Sequence, residues 1–166
     1  MTDPNFKSDS ASSAPSPFAC APSPPELQLE NQLCFAVYAA AHAFTQAYKK
    51  HLEPLGLTYP QFLVMLLLWQ QEGRSVNELG YPLHLDSGTL TPLLKRMEKA
   101  GFLRRGRDLS DERVTRIWLT EHGRSLQTSA CAIPHAMLEA SGLSIEDLGR
   151  LRHQMLSLGN ALRTSA

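Results

Sequence analysis

Net charge is missing from this 166-residue sequence: sixteen Lys and Arg are balanced by sixteen Asp and Glu. A nucleic-acid or membrane partner is therefore not announced globally, and any basic patch has to be found locally. Cysteine is scarce. Cys20, Cys34 and Cys131 are widely spaced, with no C-x-x-C pair. An odd number at such spacing excludes a disulfide framework and suits reduced thiols in a cytoplasmic protein. Long hydrophobic runs are absent too. FLVMLLLW at 62–69 would span only about 12 Å of a roughly 30 Å hydrocarbon layer, so no membrane span is expected and the run reads as the core of a buried helix. No basic flank followed by an apolar stretch opens the chain, so a signal peptide is not expected either. There is no P-loop, dinucleotide fingerprint or G-x-S-x-G elbow. The six histidines are scattered. Cys131 and His135 share a helical spacing, but two ligands do not make a metal site, and neither a metal nor a cofactor is expected.

What is present begins with a Pro, Ser and Ala-rich stretch over residues 1–25, read as a disordered tail in which Cys20 is incidental. Residues 26–166 form one domain. A first helix is predicted from about Gln28 to His51, with Leu33, Val37, Ala41, Phe44, Tyr48 and Leu52 on one stripe. Thr58 with Gln61, and Ser75 with Glu78, have the spacing of capping boxes and predict the starts of a second and a third helix. A fourth begins near LDSGTLTPLLKRMEKAG, buries Leu90, Leu93, Leu94 and Met97, and stops at Gly101, with Pro92 expected to distort its start. Two strand-like runs then flank the polar loop DLSDER, with Thr115, Ile117 and Leu119 alternating to one face. Thr120 caps a fifth helix interrupted near Pro134, and Ser144 caps a sixth.

Short helix, turn, helix and basic hairpin are the order of a winged helix-turn-helix, in a fold that is mainly α with a small β hairpin. The fourth helix would enter a DNA major groove. Ser87, Thr89 and Thr91 would donate to phosphates or base edges, with Lys95 and Arg96 adding charge. The hairpin would contribute Arg104, Arg105, Arg107 and Arg113, the last at its tip and suited to minor-groove insertion, with Asp86 expected as a structural partner of Arg113. From Lys95 to Arg116 eight basic residues oppose four acidic ones, so charge accumulates where the groove-reading elements lie.

Cys34 can be read in two ways. A free cysteine is usually a small buried hydrophobe, whereas a helix N-terminus favours a thiolate and makes the sulfur reactive. The segments ENQLCFAVYAA, LGLTYPQFLVMLLLW, LDSGTLTPLLKRMEKAGFLRRGRD and DERVTRIWLTEHG closely resemble the organic-hydroperoxide-sensing repressors of the MarR family, the OhrR type. The resemblance runs from about Leu29 to Gly123. It implies a homodimer that represses from a pseudo-palindromic double-stranded DNA operator and lets go when an organic hydroperoxide oxidises a cysteine.

By that resemblance Cys34 matches the reactive cysteine, Tyr48 and Tyr59 match the tyrosines whose hydroxyls hold its thiolate, and Tyr38 matches a nearby aromatic. Phe35 and Phe62 are expected to line a site suited to an apolar peroxide. One subgroup of the family resolves the oxidised sulfur with a second cysteine from the partner subunit. Here Cys131 precedes Pro134 instead of following it. Either Cys131 resolves from a shifted position, or a low-molecular-weight thiol does so, with a slight preference for the second. The first, fifth and sixth helices are expected to make the dimer interface. Two other functions fit some of the residues: a MarR-type regulator released by non-covalent ligand binding, and a thiol peroxidase, which leaves the basic hairpin unexplained.

Overall fold

The computed structural model describes residues 24–108 and 110–165. The tail assigned to residues 1–25, Cys20 included, lies outside the described residues up to residue 23. The chain divides into two compact units, one reaching to Ala41 and the other running from His42.

The first unit opens with two 3-10 turns, Pro25–Leu27 and Leu29–Asn31, followed by the start of α1, Leu33–Leu52. The helix expected from Gln28 thus begins five residues later. Side-chain amides compete for the backbone there. Asn31 Nδ2 donates to the Pro25 carbonyl at 2.9 Å and Gln32 Nε2 to the Glu26 carbonyl at 2.5 Å. The consequence is local but important: Cys34 becomes the second residue of α1.

In the second unit both capping boxes form as the sequence predicts. The Thr58 N–H donates to Gln61 Oε1 at 2.8 Å at the start of α2, Tyr59–Gln70. The Ser75 N–H donates to Glu78 Oε2 at 2.7 Å, and the Glu78 N–H to Ser75 Oγ at 3.2 Å, at the start of α3, Val76–Leu83. Then α4, Ser87–Lys99, follows after a tight turn. That turn needs Gly80, because a Cβ there would lie 2.6 Å from the Leu85 carbonyl oxygen, and it places His84 in the left-handed region at φ 54°. Pro92 sits inside α4 without breaking it. Its ring is exposed, and the amide it lacks belongs to the solvent side of the helix.

The expected hairpin is present, and a third strand joins it. β1 (Arg74–Ser75), β2 (Leu103–Arg107) and β3 (Thr115–Leu119) form an antiparallel sheet in the order β1-β3-β2, with Gly106 opposite Arg116 and Arg105 opposite Ile117. Ile117 and Leu119 are buried beneath it, as the alternation requires. A two-residue strand has no period, so β1 could not be read in advance.

The interrupted fifth helix resolves into α5, Glu121–Ala130, and α6, Ile133–Ser141, with Pro134 at the second position of α6. Proline favours a helical first turn and disfavours helix before it, which puts the break at Cys131 and Ala132. α7, Ile145–Thr164, completes the chain; Ser144 Oγ accepts from the Asp147 N–H at 3.0 Å.

The core joins Phe62, Met65 and Leu68 of α2, Leu79 of α3, Leu90, Leu94 and Met97 of α4, and Ile117 and Leu119 of β3. Leu126, Ala130, Ile133 and Met137 of α5 and α6 are buried in it as well. The buried apolar side chains of the fifth predicted helix are thus used inside this chain. The first and last helices differ. Leu33 of α1 remains 61% exposed, and α7 buries nothing, leaving Ile145 78% and Leu162 63% exposed.

Candidate nucleic-acid interface and thiol site

The outer side of α4 carries the residues expected to meet DNA. Leu90, Leu93, Leu94 and Met97 point into the core, which leaves Ser87, Thr89, Lys95 and Arg96 exposed and Thr91 half-buried. Asp86 caps the helix, accepting the Thr89 N–H at 2.8 Å and the Thr89 hydroxyl at 3.0 Å. These bonds hold the Asp86 carboxyl below the usual carboxylate range, the backbone bond from Thr89 contributing most. The Thr89 hydroxyl is thus engaged by Asp86 here, with its lone pairs and methyl group exposed.

The hairpin arginines sort by their partners. Arg105 is anchored: its Nε donates to Glu98 Oε2 at 2.7 Å and its N–H to Glu98 Oε1 at 2.9 Å, tying β2 to the last turns of α4. Arg104 lies over the Trp118 ring at 4.8 Å. Arg107 and Glu112 meet at 3.4 Å with both side chains largely in solvent. Arg113 is 92% exposed and makes a 3.3 Å contact with Asp111. The expected Asp86–Arg113 pairing does not form, because Asp86 is spent on the α4 cap and Asp111 is the nearer carboxylate. Lys95, Arg96 and Lys99 have no ion-pair partner among the described residues.

A cleft between the start of α3, the start of α4 and the hairpin is lined by Ser75, Asn77, Ser87, Thr91, Arg113 and Thr115. Three residues chosen from sequence, Ser87, Thr91 and Arg113, are thus brought together. Asn77 and Thr115 were missed. The available signal was Asn77 as an exposed polar residue at the second position of a capped helix.

At the thiol end, Cys34 is exposed in the first turn of α1, where amides lacking intrahelical acceptors create a positive end. Tyr38, one turn on along the same helix, shares its face and is 67% exposed. In the second unit Tyr48 and Tyr59 pack together with ring centroids 4.9 Å apart, and Tyr48 also contacts Phe62 at 5.8 Å. Burial, and secondarily the neighbouring Tyr59, push the Tyr48 phenol above its ordinary range, keeping it a protonated donor.

These features were compared with known proteins. The family profile described as transcriptional regulator SarA/Rot matches residues 46–129. Over 132 residues the chain is 48% identical to the organic hydroperoxide resistance transcriptional regulator of Bacillus subtilis, a match that takes in 80% of this chain and 90% of that one. It is 49% identical over 138 residues to the HTH-type transcriptional regulator TtmR of Methylorubrum extorquens, over 83% of this chain and 71% of that one. The chain belongs to the MarR family of transcriptional regulators. The solved structure of reduced AbfR bound to DNA is similar to this MarR-family chain with a TM-score of 0.70 at 36% identity, covering 82% of this chain and 93% of the other. The winged helix-turn-helix read from the order of elements is the fold of this regulator.

Within the MarR-family frame, one expectation about the thiol site changes. Phe62 is 2% exposed and packs in the core against Tyr48 instead of facing an open site, whereas Phe35 is 39% exposed on α1. Cys131 is exposed and lines a cleft with Leu66, Trp69, Gln70, Gln127, Ala130 and Pro134, open to a thiol partner.

Proposed function

We propose that this MarR-family regulator is a homodimeric repressor that binds a pseudo-palindromic DNA operator in the cytoplasm and is inactivated by organic hydroperoxides through oxidation of Cys34. The observation that carries this reading is the exposed thiol at the second position of α1, in a chain 48% identical to a regulator named for organic hydroperoxide resistance.

In the homodimer of this reading, Tyr48 and Tyr59 reach the Cys34 sulfur from a second copy of the chain, while Tyr38 lies on the same helix as Cys34. The exposed apolar stripes of α1 and α7 supply the surface for such a pairing. Tyr38, Tyr48 and Tyr59 are the candidate hydrogen-bond donors to the Cys34 sulfur.

The chemistry is a two-electron oxidation. The Cys34 thiolate attacks one oxygen of the peroxide, the O–O bond breaks, and the alcohol leaves with a proton as the sulfur becomes a sulfenic acid. A thiol then displaces water to give a disulfide, the thiol being either Cys131 of the partner subunit or a low-molecular-weight thiol. Loss of the negative charge ends the phenol contacts. The helices shift, and the two α4 helices lose their spacing of roughly 34 Å, one turn of DNA.

A gel-shift titration with and without cumene hydroperoxide, on native protein and on Cys34→Ser, tests the reading. Native protein is expected to release DNA and the variant to stay bound. A variant that releases equally well overturns it in favour of a non-covalent inducer, and sustained peroxide consumption with a reductant would make the chain a peroxidase. Mass spectrometry of the oxidised protein identifies the resolving thiol.

A further inference from the structure

The guanidinium of Arg116 adds side-chain links from the central strand to the end of β2, the connection into β1 and the first turn of α3. Arg116 sits on β3, the central strand, paired with Ser75 of β1 and Gly106 of β2. Its Nε donates to Asp108 Oδ2, just beyond the end of β2. Its Nη1 donates to the Gly73 carbonyl at 2.7 Å, in the connection leading into β1, and lies 3.6 Å from Glu78 Oε2 in the first turn of α3.

Each acceptor is itself part of a local device. Glu78 closes the α3 capping box through the Ser75 N–H. Asp108 organises the hairpin turn, accepting the Ser110 N–H at 2.7 Å, the Ser110 hydroxyl at 2.5 Å and the Asp111 N–H at 3.2 Å. Asp111 in turn accepts the Arg113 N–H at 3.0 Å. The β2–β3 pairing ends at Arg107 and Thr115. Beyond it the Asp108 N–H still donates to the Val114 carbonyl at 2.9 Å, and Ser110, Asp111 and Arg113 are held by the Asp108 and Asp111 carboxylates.

We infer that Arg116 is a positioning residue for DNA recognition, its guanidinium holding the wing turn against α3 so that Arg113 keeps a defined place beside α4. The inference rests on the reading of the chain as a DNA-binding regulator. With three acceptors already engaged, Arg116 itself is not a phosphate ligand. Lysine cannot replace it, because one ammonium at the end of a flexible stem lacks the planar fork that spans several acceptors.

Two measurements test this. The first needs no DNA: hydrogen exchange of native protein, Arg116→Ala and Arg116→Lys. Residues 108–114 are expected to exchange faster in both variants while α2 and α4 keep their protection. Unchanged exchange in the wing, or acceleration throughout the molecule, overturns the inference. The second is a binding titration against a duplex selected by the native protein from a random-sequence pool. Arg116→Ala and Arg116→Lys should each weaken binding about tenfold, and either combined with Arg113→Ala should bind no worse than Arg113→Ala alone. Additive losses, or native affinity in the lysine variant, overturn the inference. Native protein that selects no duplex, with wing exchange still altered as expected, defeats the DNA-binding reading and leaves Arg116 as the wing's clamp.

Discussion

The Tyr48 and Tyr59 rings lie 4.9 Å apart with their planes inclined at 49°, and neither hydroxyl has a hydrogen-bond partner among the described residues. Two phenols that pack ring against ring without using their protons are free to donate elsewhere. Tyr48→Phe and Tyr59→Phe keep the ring contact and remove one donor each. A hydrogen bond to a charged group contributes roughly 1.5–3 kcal/mol, so oxidation of Cys34 by an organic hydroperoxide should slow about tenfold or more in either variant. Trapping of the sulfenic acid over time measures this. Rates equal to the native protein's would mean that the phenols do not touch the thiolate.

Arg113 should matter for DNA and for nothing else. Its side chain is 92% exposed and its contact with Asp111 is a surface pair, worth about 0–1 kcal/mol. Arg113→Ala is expected to leave the melting temperature and Cys34 oxidation unchanged while reducing the salt dependence of DNA affinity by about one ion. A salt slope identical to the native one would remove Arg113 from the interface.

Gly123 tests the packing beneath the wing. A Cβ at this position would lie 2.0 Å from the Phe102 carbonyl oxygen, which also accepts the Thr120 N–H at 3.1 Å. Alanine normally stabilises a helix interior by about 1 kcal/mol over glycine. Here the backbone must move, and Gly123→Ala is expected to destabilise by roughly 1–3 kcal/mol net. Thermal unfolding decides the sign; a variant as stable as the native protein would mean that α5 is not seated this closely on the Phe102 backbone.

Asp108 predicts the acid behaviour of the wing. Hydrogen bonds from Arg116 above all, then from Ser110, hold its carboxyl well below the usual carboxylate range. A depressed folded pKa means that the stabilisation is present above the unfolded value, about 3.9, and is lost only as pH falls through the folded value. The turn should therefore persist as pH drops through 4. Carboxyl carbon shifts followed by NMR check this, and a midpoint near 3.9 would contradict the network.

Much was legible in the sequence because it depends on neighbours along the chain. The capping boxes of α2 and α3, the Gly101 stop, the alternation of Thr115, Ile117 and Leu119, and the concentration of arginines in the hairpin are all set by residues within a few positions of each other. The functional reading of Cys34 came instead from a family resemblance carried by segments from about Leu29 to Gly123. What stayed hidden depends on groups distant in sequence competing for one partner. The Thr89 hydroxyl donates to Asp86, which is thereby held on the α4 cap instead of on its expected arginine; Phe62 went to the core; and Arg116, counted in sequence as one more positive charge, became a link between Gly73, Glu78 and Asp108. A hydrogen bond is exclusive and directional, so only the folded arrangement could decide which of several chemically suitable partners each of these groups would take.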